Sequence, residues 1–548
     1  MRGTSAGTGE AIRPRLEIAH REANMSWFQA PSPLVPDLIA QNGRWLADRP
    51  ALVDGPVTLT WREFAASTAR IANGLAALGV RPRERVAVLM DSRHETVLTL
   101  FGIIRAGACA VPLNVSINDA AIAAMCADAS CVAVFASGRH GARIDSLRFA
   151  SRLGARHFIG CDPPAQGWRD FQAFIAGQSA TAPAVAVAPD DECNLIYSSG
   201  TTAIPKGIVH THACRMHWAY DAALALRYRS GCRTLFSLGL FSNISWVTML
   251  ATILVGGSIV LLRSFGPREA LAVIEAERIT HGAFVPVQLE RLLGYPERRA
   301  FRTDSLETLM CCGSPLAADV KRGFAREFDC HLIELYGLTE GLITILEPED
   351  FERKLQSVGK PVLGADIRIL DDDDREVAPG EIGEIVGHGR LVMAGYHGLE
   401  EANREATWID AAGRQWLRTG DLGRLDAEGF LYIVDRKKDM ILSGGQNIYP
   451  ADIETVMREH PAVAEVAVVG VSSERWGETP LAVVVLHAGR VMATAELVEW
   501  TNDRVGKQQR ISGVVWRESL PRNPNGKVLK RELRREYSSI DGQAGKPS

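Results

Sequence analysis

The chain has 548 residues, which is more than a single hydrophobic core accommodates, so roughly two to four domains are expected. Its net charge of −4, with acidic and basic residues interspersed, leaves no basic stripe for nucleic acid or for an acidic membrane surface. The ten cysteines include no Cys-x-x-Cys pair, which argues against a disulfide framework or a zinc site. A reducing cytoplasm fits this pattern.

Two segments raise the question of targeting or membrane insertion. Residues 1–24 carry charges throughout and lack the apolar core of a secretory signal, so we expect a disordered leader before Met25. Residues 234–262 contain no charge and are long enough to span a bilayer. However, several Ser, Thr and Asn residues and the pair Gly256-Gly257 interrupt this run, which favours a buried strand, helix and strand.

The first half of the chain predicts alternating strands and helices. Thr60-Trp-Arg-Glu63 is a capping box, and the helix that it begins should end at Gly79. Strands that are apolar throughout, joined by short helical connections, imply a parallel sheet covered on both faces. The expected strands are 86–90, 110–112, 132–135, 259–262 and 306–310, and the expected helices are 95–105, 267–277 and 317–328.

The segment 197–212 is rich in groups that bind phosphate. Residues 194–197 predict a buried strand, and the loop after it, Ser198 to Gly207, contains four hydroxyls, two glycines and Lys206. A Walker loop has its lysine after the last glycine and continues into a helix, whereas Lys206 precedes Gly207 and the following residues are extended. We therefore predict a phosphate loop of another kind, with a solvated turn as the alternative.

The pattern changes after residue 355. Short strands at 366–370 and 383–386, separated by the acidic turn 371–374, predict a small β-rich lobe. A charged break at 435–439 precedes helices at 451–458 and 495–505 and strands at 463–469 and 481–486. The predicted fold is therefore α/β, with a large N-terminal domain over 25–434 and a small α+β domain over 435–548.

Six motifs in the sequence can be compared with known families. They are the loop 197–212, Tyr336-Gly-Leu-Thr-Glu340, Arg418-Thr-Gly-Asp421, Asp435-Arg-Lys-Lys-Asp439, Gly444-Gly-Gln-Asn-Ile-Tyr-Pro450 and Pro524-Asn-Gly-Lys527. Together they resemble the motifs of the adenylate-forming superfamily, which comprises acyl-CoA synthetases, adenylation domains and beetle luciferases. They occur in the family's order, and the likeness covers roughly residues 35–535.

The resemblance implies a role for each charged residue of these motifs. Formation of an acyl-adenylate requires that the triphosphate be neutralised while a carboxylate attacks its α-phosphorus. In the family pattern Thr339 bonds the α-phosphate, Glu340 binds Mg²⁺, Asp421 accepts the ribose hydroxyls with help from Arg436, and Lys527 bridges the two reactants. Without the resemblance, these residues would be interpreted as a helix N-terminus, an ordinary turn and an exposed lysine.

The same resemblance extends the site to neighbouring residues. Asp435 would be the hinge about which a mobile C-terminal domain rotates between two half-reactions. The implied residues are Ser198, Ser199, Gly200, Thr201, Thr202, Lys206, Gly313, Ser314, Pro315, Glu334, Tyr336 and Gly337 for ATP or AMP, Ser242, Asn243, Trp246, Val285 and Pro286 for the acid, and Lys437, Gly444 and Gly445 for CoA.

Two positions depart from the family pattern. Ala203 stands where glycine is common, which restricts positive φ in the phosphate loop. Ser242 replaces a histidine of many acyl-CoA synthetases, and it cannot supply the aspartate with which relatives bind an amino acid's ammonium group. Amino acids are thus disfavoured, and a small aromatic or medium-chain acid is favoured. Ser242 and Asn243 could bind a polar substituent, or they could cap a helix.

The resemblance predicts an ATP- and Mg²⁺-dependent acid–CoA ligase that is cytoplasmic, with a homodimer as a possible assembly. One alternative is an adenylation enzyme that loads a carrier protein. No carrier domain follows Lys527 in this sequence, so we expect such a carrier to act in trans. A luciferase-like oxygenase is a third and less favoured alternative. A nucleotide-binding regulator is the non-enzymatic alternative, although it would not need Lys206, Glu340, Asp421 and Lys527 together.

Overall fold

The computed structural model describes residues 32–138, 140–162, 167–197, 206–444, 446–473, 475–507, 509–523 and 526–538. The predicted leader, the predicted phosphate-binding residues 198–202, Ala203 and Gly445 lie outside this range.

A nine-stranded sheet forms one half of the large N-terminal part. Its order is β16-β15-β14-β13-β12-β10-β11-β1-β2, and the six strands from β14 to β1 are parallel, with antiparallel strands at both edges. The strands are β1 (Pro50–Asp54), β2 (Val57–Thr60), β10 (Arg233–Phe236), β11 (Ser258–Leu261), β12 (His281–Phe284), β13 (Thr308–Cys312), β14 (His331–Leu338), β15 (Gly341–Leu346) and β16 (Lys360–Pro361).

An eight-stranded sheet forms the other half. Its order is β19-β9-β8-β4-β3-β5-β6-β7, and the strands from β8 to β7 are parallel, while β9 and β19 are antiparallel. The strands are β3 (Arg85–Leu89), β4 (Cys109–Pro112), β5 (Ala133–Ser137), β6 (His157–Cys161), β7 (Arg169–Asp170), β8 (Glu192–Tyr197), β9 (Gly207–Thr211) and β19 (Gly395–Tyr396).

The helices form three layers around these two sheets. Along β3, Val86 and Val88 face a central core, whereas Ala87 and Leu89 face an outer one, so both faces of the strand are covered. The central core joins both sheets through the helices Val35–Trp45, Trp61–Ala77, His94–Arg105, Phe171–Ile175, His212–Ala225 and Asn243–Leu254. The outer helices are Pro267–Ala276, Pro286–Leu293 and Ala318–Glu327 on the nine-stranded sheet, and Asp119–Asp128 and His140–Phe149 on the eight-stranded sheet.

A five-stranded antiparallel sheet follows, where the sequence predicts a β-rich lobe. Two short helices, Phe351–Lys354 and Glu400–Glu405, lie before and within this region. The strands are β17 (Ala365–Leu370), β18 (Gly383–Gly389), β20 (Thr407–Ile409), β21 (Gln415–Leu425) and β22 (Leu431–Arg436).

The C-terminal part has its own sheet and hydrophobic cluster. β26 pairs antiparallel with β23 and β25 and parallel with β27. The strands are β23 (Ile441–Ser443), β24 (Gln446–Ile448), β25 (Val463–Ser473), β26 (Gly477–Leu486) and β27 (Gly513–Trp516), and the helices are Pro450–Arg458, Thr494–Asn502 and Lys530–Tyr537.

The predicted elements are present, with small shifts at their ends. The Thr60–Glu63 capping box begins the helix Trp61–Ala77, and Gly79 follows its end with φ +78°. Residues 234–262 fold as strand, helix and strand, as expected. Within the described residues, the helices are too short or too polar to cross a membrane. The sequence predicts a parallel sheet, whereas the nine-stranded and eight-stranded sheets also contain antiparallel strands at their edges.

Candidate active site

The predicted phosphate loop connects the two strands of a hairpin. Tyr197 at the end of β8 lies opposite Gly207 at the start of β9, so the ends of the predicted phosphate loop are adjacent in this antiparallel pair. Lys206 then lies with its Nζ 4.4 Å from the centre of the Tyr396 ring. The Tyr396 hydroxyl donates to Glu340 Oε1 at 3.1 Å. The hairpin therefore places the loop lysine beside the carboxylate predicted to bind metal.

Thr339 and Glu340 form the turn between β14 and β15. The carbonyl of Thr339 accepts from His210 Nε2 at 2.8 Å, and that of Glu340 accepts from the Met393 amide at 2.7 Å. The alternative interpretation as a helix N-terminus is therefore wrong. Because the turn is bonded on both sides, its two side chains are held at the end of the sheet.

Asp421 is a buried carboxylate with two partners. It lies on β21 opposite Arg436 of β22, and Arg436 Nε is 2.5 Å from its Oδ1. The Tyr336 hydroxyl donates to Oδ2 at 2.7 Å. Burial and the Asp421 charge raise the pKa of Tyr336 well above its ordinary value, so its hydroxyl keeps its proton and remains a donor. The arrangement supplies a fixed anionic acceptor for paired hydroxyls.

Lys527 lies across from this carboxylate. The Lys527 amide donates to Asn523 Oδ1 at 2.9 Å, and the Asn523 amide donates to the Lys527 carbonyl at 2.8 Å. Lys527 is exposed. The surrounding protein and the Arg436 cation lower the pKa of Lys527 to about 8, although Asp421 opposes the shift. Lys527 therefore lies within the electrostatic influence of the Asp421–Arg436 pair.

Val285 of the predicted acid pocket and Gly313 of the predicted nucleotide site follow the neighbouring parallel strands β12 and β13, at their carboxyl ends. Gly313 follows β13 with φ +103°, and a Cβ there would lie 3.4 Å from Ile244 Cδ1 and 3.5 Å from Val285 Cγ1. Val285 caps the helix that begins at Pro286. Gly526, next to Lys527, approaches the same wall, because its Cβ position lies 3.5 Å from Val287 Cγ1. The segment that carries Lys527 therefore lies next to the wall of the predicted acid pocket.

Ser242 and Asn243 adopt different roles from each other. Ser242 is buried and caps the helix Asn243–Leu254, its Oγ accepting weakly from the Ile244 amide at 3.4 Å. Asn243 instead accepts from the guanidinium of Arg215 at 2.9 Å. Trp246 is fully buried and packs against Phe101. Of the two possibilities for Ser242 and Asn243, helix capping applies to the serine.

Glu334 is engaged with protein. It forms an ion pair with the buried Lys321, and its Oε1 accepts from the Leu316 amide at 3.0 Å. It therefore holds the segment that follows Gly313, Ser314 and Pro315. A direct contact of Glu334 with nucleotide stays a prediction.

The hinge and CoA residues lie where the two parts of the chain join. Asp435 is still part of β22, and it is buried, with its Oδ2 accepting from the Ala451 amide at 3.1 Å, so it is not a solvated turn residue. Lys437 donates to Glu384 at 3.0 Å. Gly444 has φ +57°, and its Cβ position is 2.9 Å from the Trp476 ring. The hinge and CoA roles stay predictions.

Sequence reasoning missed several residues of the site. Tyr396 joins Lys206 to Glu340, and it comes from β19, which pairs with β9 across the sequence. His210 and Arg215 form a buried polar group behind the acid pocket. A signal for Arg215 was available, because it is a charged residue among mostly apolar residues on the buried side of the helix His212–Ala225.

Two layered sheets followed by a small domain that carries Lys527 are the arrangement expected of adenylate-forming enzymes. The model of the AMP-binding enzyme family matches residues 39–397, and that of the AMP-binding enzyme C-terminal domain matches residues 452–527. The chain belongs to the AMP-binding enzyme family, and it is an acyl-CoA synthetase of the AMP-forming kind.

Similar proteins cover nearly the whole chain. A feruloyl-CoA synthase of an Amycolatopsis species is 33% identical over 494 residues, which is 89% of this chain and 96% of the relative. A long-chain-fatty-acid–CoA ligase of Mycobacterium tuberculosis is 33% identical over 491 residues, 88% of this chain and 94% of the relative. The solved structure of o-succinylbenzoate CoA synthetase from Bacillus subtilis with its acyl-adenylate has a TM-score of 0.81 at 30% identity, covering 91% and 98% of the two chains.

Proposed function

We propose that adenylate formation takes place between Asp421 and Lys527, and that thioester formation follows at the same nucleotide site after Lys527 has been withdrawn. The observation that carries the proposal is the buried Asp421–Arg436 pair, an anionic acceptor suited to a ribose, whose two charges both act on the Lys527 ammonium. A carboxylate oxygen of the acid attacks the α-phosphorus of ATP, and pyrophosphate leaves. The sulfur of CoA then attacks the carbonyl carbon of the adenylate, and AMP leaves.

Each residue of the site has its own role in adenylate formation. Asp421 accepts from the ribose hydroxyls, and Arg436 and Tyr336 keep that carboxylate in place. Lys527 places positive charge between the two anionic reactants, which otherwise repel each other. Lys206 and the hydroxyls of the loop hold the β- and γ-phosphates. For the second step we propose that the C-terminal part rotates about Asp435, which withdraws Lys527 and presents Gly444 and Gly445.

The Thr339–Glu340 turn fits a magnesium site. Glu340 offers a half-buried carboxylate whose Oε1 is already oriented by Tyr396, and carboxylate oxygens are the ligands that Mg²⁺ prefers. When bound, Mg²⁺ neutralises phosphate charge. Thr339 precedes Glu340 in the turn, and its hydroxyl would donate to the α-phosphate.

We propose that the acid is a small aromatic or medium-chain carboxylic acid. An aromatic acid is supported by the similar feruloyl-CoA synthase, and an aliphatic one by the similar long-chain-fatty-acid–CoA ligase. We expect pyrophosphate release from ATP that depends on such an acid, measured over a panel of acids with a coupled phosphate assay. Release that is followed by no CoA thioester would favour transfer to a carrier protein. If no acid of the panel stimulates release, the nucleotide-binding regulator becomes the better hypothesis.

The pKa of Lys527 predicts a pH dependence. Because the folded protein lowers this pKa to about 8, the ammonium is present below that pH and is lost above it. We therefore expect kcat/KM for adenylate formation to fall as the pH rises through about 8, by roughly tenfold per unit at higher pH.

The Lys527→Arg variant is the matched control, since its guanidinium keeps its charge over this range. It should be slower than the parent enzyme but should lack the decline at alkaline pH. A decline that persists unchanged in this variant would assign the titration to another group.

A further inference from the structure

Arg215 is a buried cation without an acidic partner. It lies on the helix His212–Ala225 with none of its surface exposed. Its guanidinium donates to Asn194 Oδ1 at 2.9 Å, to Asn243 Oδ1 at 2.9 Å and to His210 Nδ1 at 3.1 Å. All three acceptors are neutral, and among the described residues no carboxylate contributes to its electrostatic surroundings.

Such an arrangement is costly, because a buried charge is normally balanced by an opposite one. Burial lowers the pKa of Arg215 to about 10, so the cation persists at neutral pH. Two indole rings lie near it, with the guanidinium carbon 5.3 Å from the centre of Trp246 and 5.7 Å from that of Trp218. Their faces stabilise a cation but do not neutralise it. The region therefore retains an uncompensated positive charge.

The same group of residues has more hydrogen-bond donors than acceptors. A guanidinium has five N–H donors, and the three bonds to protein leave some of them available. Asn194 Nδ2 and Trp246 Nε1 are also buried donors, and they have no hydrogen-bond partner among the residues that the structure describes. Buried polar groups are nearly always paired, so this surplus indicates that an acceptor is bound here when the site is in use.

The orientation of Asn243 directs this surplus toward the acid pocket. Because a guanidinium can only donate, it attracts the Oδ1 atoms of Asn194 and Asn243 and turns their NH₂ groups away from itself. Asn243 is half-buried, whereas Arg215 behind it is enclosed. Its neighbour Ile244 lies against Gly313 in the predicted pocket wall. Asn243 is thus the contact between the buried cation and the space in which the acid would lie.

We infer that the acid taken by this enzyme carries a second oxygen acceptor, in addition to the carboxylate that is activated, and that the cluster Asn194–His210–Arg215–Asn243–Trp246 binds it. The second group is a carboxylate, carbonyl or phenolic oxygen, and an anionic oxygen fits the charge best. This inference rests on the proposed function, since it names the class of acid for the same site. Arg215 is a positioning residue, and Asn243 is the residue that determines specificity.

Pairs of acids that differ by one oxygen group test this inference. Phenylpropanoate is compared with hydroxyphenylpropanoate, and hexanoate with adipate, by kcat/KM for pyrophosphate release. We expect the oxygenated acid of at least one pair to be favoured by about tenfold or more, as a single hydrogen bond to a buried charged group would give. The Arg215→Met variant should lose this preference, mainly through a higher KM for the oxygenated acid.

Two further variants separate recognition from folding. Arg105 is also a buried arginine, bonded to the Ala65 carbonyl and Thr68 Oγ1, and Arg105→Met should retain the preference. Asn243→Ala removes the pocket-facing amide but leaves the bonds from Arg215 to His210 and from His210 to Thr339 available. It should also lose the preference, even if Arg215→Met proves unstable.

The outcomes are distinct. Two results would overturn this inference and leave the proposed function intact. In the first, acids stimulate pyrophosphate release but the parent enzyme does not prefer the oxygenated acid of any pair. In the second, the parent enzyme shows the preference and Asn243→Ala retains it. If no acid stimulates pyrophosphate release, the proposed function is overturned and this inference with it.

Discussion

Lys527→Ala should form adenylate at least about a hundredfold more slowly than the parent enzyme, yet should still convert a preformed acyl-adenylate to the thioester. The ammonium lies within the electrostatic influence of Asp421 and Arg436, where it can offset the negative charge of both reactants. In the second half-reaction the rotation of the C-terminal part has withdrawn Lys527, so we expect its charge not to contribute to that step. The two rates are measured separately, by pyrophosphate release and by thioester formation from synthetic adenylate.

Unfolding would also reduce adenylate formation, so thermal unfolding should be recorded for this variant. Lys527 contacts solvent, and we expect its replacement to change stability little. Equal loss of both half-reactions in a folded variant would contradict the role proposed for this residue.

Glu340→Gln should lower the rate of adenylate formation by about tenfold to a hundredfold and raise the Mg²⁺ concentration needed for half-maximal rate. The substitution keeps the size of the side chain and the acceptor for the Tyr396 hydroxyl, but it removes the anionic oxygen. A neutral amide is a weaker ligand for a hard divalent cation. The measurement is the initial rate of pyrophosphate release over a series of Mg²⁺ concentrations.

Tyr396→Phe is the matched control for this change. It removes the hydroxyl that bonds Glu340 but keeps the carboxylate and the ring near Lys206. We expect a smaller effect and a Mg²⁺ requirement close to that of the parent enzyme. If Glu340→Gln changes neither the rate nor the Mg²⁺ requirement, the metal site lies elsewhere.

Local signals in the sequence predicted most elements of the fold. The capping box at Thr60, the apolar strands and the glycines at helix ends depend on neighbouring residues, and the structure confirms them to within a few residues. The sheet edges were not predictable in the same way. β19 adds to β9 although the two are far apart in sequence, and a two-residue strand has no periodic pattern.

The candidate site was predictable where a motif carries its chemistry within a few residues. Tyr336, Asp421 and Arg436 were identified from such motifs, and the structure brings them into contact. Tyr396 and Arg215 were missed because their importance comes from contacts across the fold. An arginine among apolar residues on a helix indicates burial, but the acceptors that surround it can be identified only from the tertiary structure.

The transfer of oxygen from the acid tests the central claim most directly. An acid that stimulates pyrophosphate release is labelled with heavy oxygen in its carboxylate and is converted with ATP and CoA, and the products are analysed by mass spectrometry. Attack of the carboxylate on the α-phosphorus predicts that one labelled oxygen appears in AMP and none in pyrophosphate. Label in inorganic phosphate or pyrophosphate, with AMP unlabelled, would contradict the formation of an acyl-adenylate.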